Sequence, residues 1–180
     1  MASRAFSSNM TVMTKRLWCL GVATALLSAC AQEAQPMRIR CELSMPDTIA
    51  GAQPAQLTFS LTNEGKEAVY FLNWQTPFEG VRAPMLDVTH EGDEVEYRGP
   101  MLKRAAPAKE SYLSLSPGER KSVKFDLDPG WDVAAEGRYT VAYSAQLFDV
   151  VSGSLPSPRS LDELEPMPLS CNAVTFVRQR

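Results

Sequence analysis

The chain has 180 residues, 18 of them basic and 21 acidic, and a net charge of −3. This length suffices for one domain that buries its own hydrophobic core. Binding to nucleic acid requires a basic face, and the sequence shows none, so we exclude nucleic acid as a partner.

The N-terminus has the order of charged and apolar residues that is typical of a signal peptide. Lys15 and Arg16 precede an apolar run, Leu17 to Leu27, which is too short to span a membrane and suits a secretory signal. The tetrapeptide Leu27-Ser28-Ala29-Cys30 resembles the bacterial lipobox, in which small residues precede the lipidated cysteine. We predict that residues 1 to 29 are removed and that Cys30 is lipidated. An ordinary signal peptide followed by a chance cysteine is the alternative.

Residues 30 to 36 are expected to tether the lipid to a domain at 37 to 180. Three of the 18 basic residues and none of the 21 acidic ones precede position 30, which leaves 15 against 21 and a net charge of −6. Because the domain is acidic, we expect the lipid anchor to be its link to the membrane. Ala31 follows the cysteine in place of aspartate, which under enterobacterial-type sorting implies the outer membrane of the cell envelope.

Cys41 and Cys171 are the cysteines that remain once Cys19 leaves with the signal peptide and Cys30 carries the lipid. In an exported protein two remaining cysteines most often pair, so we predict a disulfide between the first and last strands. No CxxC spacing occurs, which excludes a zinc ribbon and a thioredoxin-type site.

The domain alternates short apolar and polar stretches with turns. Leu57, Phe59 and Leu61 recur with the period of two that is typical of a half-buried strand. Strands are predicted at 37–44, 56–62, 68–72, 85–89, 94–97, 112–115, 123–127, 138–148 and 172–177. About eight strands without a helical period predict an immunoglobulin-like antiparallel β-sandwich.

Two further features of the pattern leave alternatives open. Tyr139, near the start of a late strand, resembles the tyrosine corner of immunoglobulin-like folds, although a plain buried tyrosine explains it equally well. The stretch from 149 to 170 is rich in proline and serine, and it is predicted to be a long loop that is either functional or mobile.

His90 is the single histidine of the chain. It begins a sequence that resembles HExxH, but the position of the second zinc ligand is Glu94, and Gly92 places the stretch in a turn rather than a helix. A Ser-His-Asp triad would need the same histidine as its base. We therefore expect no catalytic site, no metal and no cofactor.

The most distinctive residues outside the predicted strands are Trp74, Phe78 and the basic pair Lys103 and Arg104. Large aromatic residues on a connection are typical of interface hot spots, and Arg104 can bind a partner carboxylate through two hydrogen bonds. The alternative is architectural, with Trp74 closing the core and Arg104 paired internally to Glu79.

These segments carry a family resemblance. Thr76 to Gly80, Lys103 to Pro107, Pro117 to Glu119 and Tyr139 to Tyr143 together look like the N-terminal β-sandwich domain of bacterial deuterolysin-like (peptidyl-Lys, aspzincin) metallopeptidases. The similarity covers about 56 to 146. In that family the zinc ligands and the catalytic glutamate lie in the following domain, so the resemblance transfers no catalytic residue here. It implies a stand-alone relative of a propeptide-like domain.

We therefore predict a non-catalytic interaction module, anchored in the envelope, whose partner is an envelope or secreted protein. The resemblance implies a metallopeptidase as partner and leaves two roles open, inhibitor and folding partner. A β-sandwich that binds a sugar or peptide through the same aromatic residues is the alternative. A hydrolase with an unrecognised site is the third hypothesis, against which the lone turn histidine counts.

The first prediction concerns the anchor. Cys30→Ser, expressed in a native host, should release or mislocalise the protein, because it removes acyl chains that each contribute about 0.8 kcal/mol per buried CH₂. Envelope fractionation and the mass of the wild-type N-terminus are the measurements. Unchanged fractionation together with no acyl mass on the wild type would contradict lipidation.

Overall fold

The structure, a computed structural model, describes residues 38 to 180. The predicted signal peptide, Cys30 and the tether lie outside the described residues. Within the described range the chain forms thirteen β-strands and three 3-10 helices, at Pro77–Glu79, Lys109–Ser111 and Leu161–Glu163. The strands are β1 (Ile39–Ser44), β2 (Thr48–Ala50), β3 (Gln56–Asn63), β4 (Val69–Leu72), β5 (Leu86–His90), β6 (Asp93–Glu94), β7 (Tyr112–Leu115), β8 (Arg120–Asp126), β9 (Gly137–Tyr143), β10 (Gln146–Phe148), β11 (Val151–Ser152), β12 (Pro166–Pro168) and β13 (Val174–Gln179).

Two main sheets face each other across one hydrophobic core. The first has the order β1-β3-β8, and the second has the order β2-β13-β9-β5-β6. All neighbours in these sheets are antiparallel except β2, which runs parallel to β13. Two smaller sheets, β11-β4-β7 and β10-β12, complete the fold. The predicted all-β sandwich is confirmed.

The alternation seen in the sequence places the apolar residues of β3 and β9 between the sheets. Leu57, Phe59 and Leu61 of β3 are fully buried, and so are Tyr139 and Val141 of β9. Burial of one such side chain stabilises the folded state by about 1.5 to 3 kcal/mol. These two strands therefore form the centre of the core.

Three aromatic rings lie side by side across the second sheet. Tyr139 of β9 is opposite His90 of β5 and Phe176 of β13, with ring centroids 4.4 and 4.8 Å away respectively. The Tyr139 hydroxyl donates a hydrogen bond to the carbonyl oxygen of Ala135 at 3.0 Å. A bond from a strand tyrosine to backbone a few residues upstream is the mark of a tyrosine corner, so the structure supports that interpretation of Tyr139.

The structure has more strands than the sequence predicted. β2, β11 and β12 are each only two or three residues long, which is too short for an alternation to be visible. The strand predicted at 138–148 is divided into β9 and β10, and the one predicted at 94–97 is reduced to β6. The segment from 149 to 170 is predicted to be a long loop, and most of it is irregular, but it also contains short regular elements. It contains β11, a 3-10 helix and β12, because pairing with β4 and β10 orders residues that have no period of their own.

A buried carboxylate fixes the start of that segment. Asp149 is 2% exposed, and it accepts a hydrogen bond from the hydroxyl of Tyr112 on β7. Arg159, ten residues further along, lies 3.2 Å from the same carboxylate. Burial and the adjacent carboxylate together raise the pKa of Tyr112. The ion pair compensates for the burial of Asp149 and holds the 149–170 segment against the domain.

The two main sheets are joined at one margin by a covalent bond and an amide. Cys41 of β1 forms the predicted disulfide with Cys171, and their Cα atoms are 4.7 Å apart. The adjacent Asn172 side chain accepts a hydrogen bond from the N–H of Leu43 and donates one to its carbonyl oxygen, both at 2.9 Å. The carboxamide thus occupies the place of a neighbouring strand along the outer edge of β1.

No helix among residues 38 to 180 has the length and apolar character required to cross a membrane.

The second prediction tests the disulfide, which spans 130 residues of sequence. Cys41→Ser/Cys171→Ser should lower the free energy of unfolding by roughly 2 to 5 kcal/mol, since the bond restricts the unfolded chain. Urea unfolding of the variant is the measurement, and reduced wild-type protein is the control that should lose the same amount. Peptide mapping that finds two free thiols in exported protein would contradict the pairing.

Candidate interaction site

The chain makes a compact turn, residues 73–80, directly after β4. The Thr76 hydroxyl donates to the carbonyl oxygen of Asn73 at 2.6 Å, and the 3-10 helix Pro77–Glu79 ends at Gly80 with φ of 83°. The Tyr143 hydroxyl, which belongs to the core, donates to the Gln75 carbonyl oxygen at 2.9 Å. The 73–80 turn is therefore fixed to the second sheet as well as to β4.

Phe78 and Trp74 occupy different places on this turn. The Phe78 ring is half-buried and meets the ring of Phe59 edge to face, at 5.5 Å between centroids. Trp74 is also half-buried, and its ring lies 5.1 Å below the guanidinium carbon of Arg104. Phe78 thus adds to the core, while Trp74 supports a segment from elsewhere in the chain.

Arg104 fastens that segment to the turn. Its guanidinium pairs with the carboxylate of Glu79, and the two side chains are 24% and 9% exposed. The Glu79 carboxylate also accepts a hydrogen bond from the N–H of Gln75 at 2.8 Å. The internal Arg104–Glu79 pair, which the sequence left open as an alternative, is therefore present. A partner contact by Phe78 and Arg104 stays a prediction, and both residues already have partners within the domain.

The sequence-based site residues accordingly fall into two groups. Trp74, Phe78 and Arg104 come together with Glu79 at the 73–80 turn. Lys103 lies beside them in sequence but is exposed, and it has no ion-pair partner among residues 38 to 180. The first group positions the segment, and Lys103 is available for contact.

The segment from Pro100 to Pro107 carries the most exposed large apolar residues of this region. Met101 is 74% exposed and Leu102 is 47% exposed. Sequence reasoning missed both residues because it looked for aromatic and charged side chains. A signal was present, since this apolar pair follows a proline and belongs to no alternating stretch.

The 100–107 segment is held at both ends. The Tyr97 hydroxyl donates to the Pro100 carbonyl oxygen at 2.8 Å, and Pro107 is buried. Between these ends the Leu102 N–H donates to the carbonyl oxygen of Arg82 at 3.2 Å. With the Arg104–Glu79 pair, these contacts hold an exposed peptide in one place.

Most backbone groups of this segment are unpaired within the described domain. The N–H groups of Met101 and of residues 103–106 donate no hydrogen bond to residues 38–180, and the carbonyl oxygens of residues 101–107 accept none from them. The segment therefore presents both apolar side chains and free hydrogen-bonding groups to its surroundings.

The same part of the chain is locally basic. From 97 to 109 the sequence contains Arg98, Lys103, Arg104 and Lys109 and no acidic residue. Arg98 faces Asp132 at 3.4 Å and Arg104 faces Glu79, so the lysines carry the remaining positive charge. Exposed Glu96 and Glu110 flank this stretch, so the positive charge is confined to Lys103 and Lys109, and an acidic group on a partner would complement it there.

Other candidate sites are structural. The Nε2 atom of His90 lies 2.9 Å from the carbonyl oxygen of Glu136, and its ring stacks on Tyr139. Among the described residues no group of three His, Cys, Asp or Glu side chains could hold a metal ion. A shallow depression of about 260 Å³ lies between Arg98 and Trp131, away from Trp74 and Phe78.

Part of the chain is similar in sequence to part of a known protease. No protein-family model matches the chain. An extracellular protease from Aeromonas hydrophila is 34% identical over 88 residues, which cover 49% of this chain and 25% of the protease. The chain therefore spans about a quarter of the length of that protease, and the similarity covers about half of the chain.

Two solved structures also align with the chain. One is the crystal structure of the CARDB domain of a Pyrococcus furiosus protein in complex with di-metal ions, whose sequence is 16% identical to this chain. The alignment covers 75% of this chain and 93% of the CARDB chain, with a TM-score of 0.30. Native alpha-2-macroglobulin from Escherichia coli is 14% identical and covers 79% of this chain and 17% of its own, with a TM-score of 0.37.

The third prediction concerns Tyr143, which links the core to the turn. Burial raises the pKa of its hydroxyl above the usual value of 10.0, so the unfolded chain loses this proton at a lower pH than the folded domain. The contribution of this pKa shift to the free energy of unfolding is fully present below about pH 10. Above that pH the contribution falls by about 1.4 kcal/mol per pH unit.

The free energy of unfolding of the wild type should decrease between about pH 8 and pH 11, and the decrease should be smaller for Tyr143→Phe. At neutral pH the variant should lose about 1 kcal/mol, because its hydrogen bond to Gln75 is missing. Urea unfolding as a function of pH is the measurement. Tyr70→Phe on β4 is the control, because it removes a tyrosine hydroxyl elsewhere in the domain. The same alkaline slope in wild type and Tyr143→Phe would disprove the assignment.

Proposed function

We propose that this protein is a non-catalytic, envelope-anchored interaction module that binds a secreted or envelope peptidase. The observation that carries the proposal is the 100–107 segment, which presents Met101 and Leu102 to solvent and is held to the domain at Pro100, Leu102 and Arg104. Exposed apolar residues on an ordered connection are typical of contact sites.

The anchoring of the segment favours binding. An interface must offset the entropy of ordering its backbone and side chains, about 0.5 to 1.5 kcal/mol for each flexible side chain. Here the Arg104–Glu79 pair, the ring of Trp74 and the buried Pro107 order the segment before a partner arrives. Trp74 and Arg104 would then contribute to affinity mainly by positioning their neighbours.

A peptidase is the partner that the relation to an extracellular protease supports. We infer that a domain similar to part of a protease carries a surface compatible with the rest of such an enzyme. The resemblance to the propeptide-like domain of deuterolysin-like enzymes narrows the proposal to a metallopeptidase. The structural use of His90 supports a non-catalytic role for the chain itself.

The lipid on Cys30 would keep the domain close to the outer membrane. Seven residues separate Cys30 from the first described residue, Arg38, and seven residues reach at most about 25 Å. A partner must therefore reside in the envelope or pass through it, which suits an exported peptidase.

Binding of a sugar or peptide by Trp74 and Phe78 has less support. Arg104 covers the Trp74 ring, and Phe78 packs on Phe59. The depression near Trp131 is smaller than most small-molecule sites, which occupy about 300 to 1,000 Å³.

The fourth prediction tests the partner. Full-length protein in detergent should bind the extracellular protease of Aeromonas hydrophila saturably in isothermal titration calorimetry. Arg104→Ala should weaken binding about tenfold, or about 1.4 kcal/mol, because the 100–107 segment loses its link to Glu79.

Arg120→Ala is the matched control, since it breaks the exposed Arg120–Glu42 pair on the first sheet. This variant should bind like the wild type. Absence of saturable binding by the wild type, or equal weakening by the two substitutions, would contradict the proposed function.

A further inference from the structure

We propose that Met101, Leu102 and Lys103 enter the substrate-binding cleft of the partner peptidase as an extended strand, an inference that rests on the proposed function. The protein would then act as a competitive inhibitor rather than as a folding partner.

The backbone of the segment favours an extended conformation. Pro100 and Pro107 have a fixed φ, and a proline disfavours the helical region in the residue before it. Ala108, directly after the segment, is extended, with φ of −102° and ψ of 171°. Residues 101 to 105 form no helix or turn in the structure, and peptidase clefts bind substrates as extended chains.

The hydrogen bonds of the segment leave one edge free. In an extended chain, successive N–H groups point to opposite edges. The Leu102 N–H donates to Arg82, whereas the N–H groups of Met101 and Lys103 donate no hydrogen bond to residues 38–180. A partner strand can pair with this free edge, as in other cases of β-strand addition to a peptide.

The side chains define the cleft that would fit. Met101 requires an apolar subsite, and Lys103 requires an acidic group close to it. Lys109 adds a second positive charge next to exposed Glu110, while Lys103 has no acidic residue within six positions in the sequence. A cleft with apolar subsites and an acidic rim is therefore the complementary surface.

A membrane surface fits the same segment poorly. Unpaired backbone N–H and C=O groups cost several kcal/mol each in hydrocarbon, and residues 101–107 have many of them. In a protein cleft these groups become hydrogen-bonded. We therefore favour the cleft, and we make the membrane an outcome of the test.

The experiment measures hydrolysis of a fluorogenic peptide by the Aeromonas hydrophila extracellular protease in the presence of the full-length protein in detergent. The wild type should raise KM without changing kcat. Met101→Ser/Leu102→Ser should raise the inhibition constant at least tenfold with an unchanged melting temperature, since both side chains are exposed.

Leu155→Ser/Leu161→Ser is the matched control, because these residues are the other exposed large apolar pair, at 40% and 47%. The inhibition constant of this control should be within about twofold of the wild-type value, a difference of about 0.4 kcal/mol. Calorimetry on the same proteins separates the two proposals. Saturable binding without competition overturns this inference and leaves the proposed function standing. Binding that the Met101/Leu102 variant retains in full contradicts both, because the proposed function rests on the surface that these two residues present.

Absence of saturable binding overturns both proposals. A third arm uses the full chain with Cys30→Ser and vesicles of phosphatidylglycerol. Vesicle binding that depends on Met101 and Leu102 would assign the segment to the membrane and overturn the inference, whereas no vesicle binding agrees with it.

Discussion

Phe59 connects the core of the sandwich to the candidate site. Its ring lies 5.2 Å from the ring of Tyr143 on the opposite sheet and 5.5 Å from that of Phe78 on the 73–80 turn. Edge-to-face and tilted aromatic pairs each contribute about 0.5 to 1.5 kcal/mol beyond area burial. Because Phe59 is central to β3 and fully buried, the turn is a direct extension of the core, and its geometry depends on the packing of the two sheets.

The chain of contacts continues outward from that turn. Phe78 is followed by Glu79, and Glu79 holds Arg104, which lies over Trp74 and fixes the exposed segment. Phe59 is fully buried, the Glu79 and Arg104 side chains are 9% and 24% exposed, and Met101 is 74% exposed. A substitution near the core end should therefore change stability first, whereas one at Met101 should change binding first. This gradient explains how the same aromatic cluster can be architectural and still determine a contact surface.

Sequence reasoning succeeded where a periodic pattern or a forced pairing determines the structure. The alternation in β3 and β9 predicted the buried faces, and the count of remaining cysteines predicted the disulfide. It failed where tertiary contacts decide. Trp131 is 2% exposed and lies 4.9 Å from Tyr97, ring to ring, yet it follows Pro129-Gly130 in a turn, where no period indicates burial. The sequence instead singles out Trp74, which is only half-buried.

The pairing of Cys41 with Cys171 sets the order in which the domain can be completed as the chain folds. β1 can pair with β3 as soon as both have emerged, but the outer edge of β1 stays open until Asn172 arrives, 129 residues after Leu43. An open strand edge is a template for pairing with another chain. While the chain folds, this edge is therefore open to pairing with other chains, and Asn172 shortens the open edge by covering Leu43.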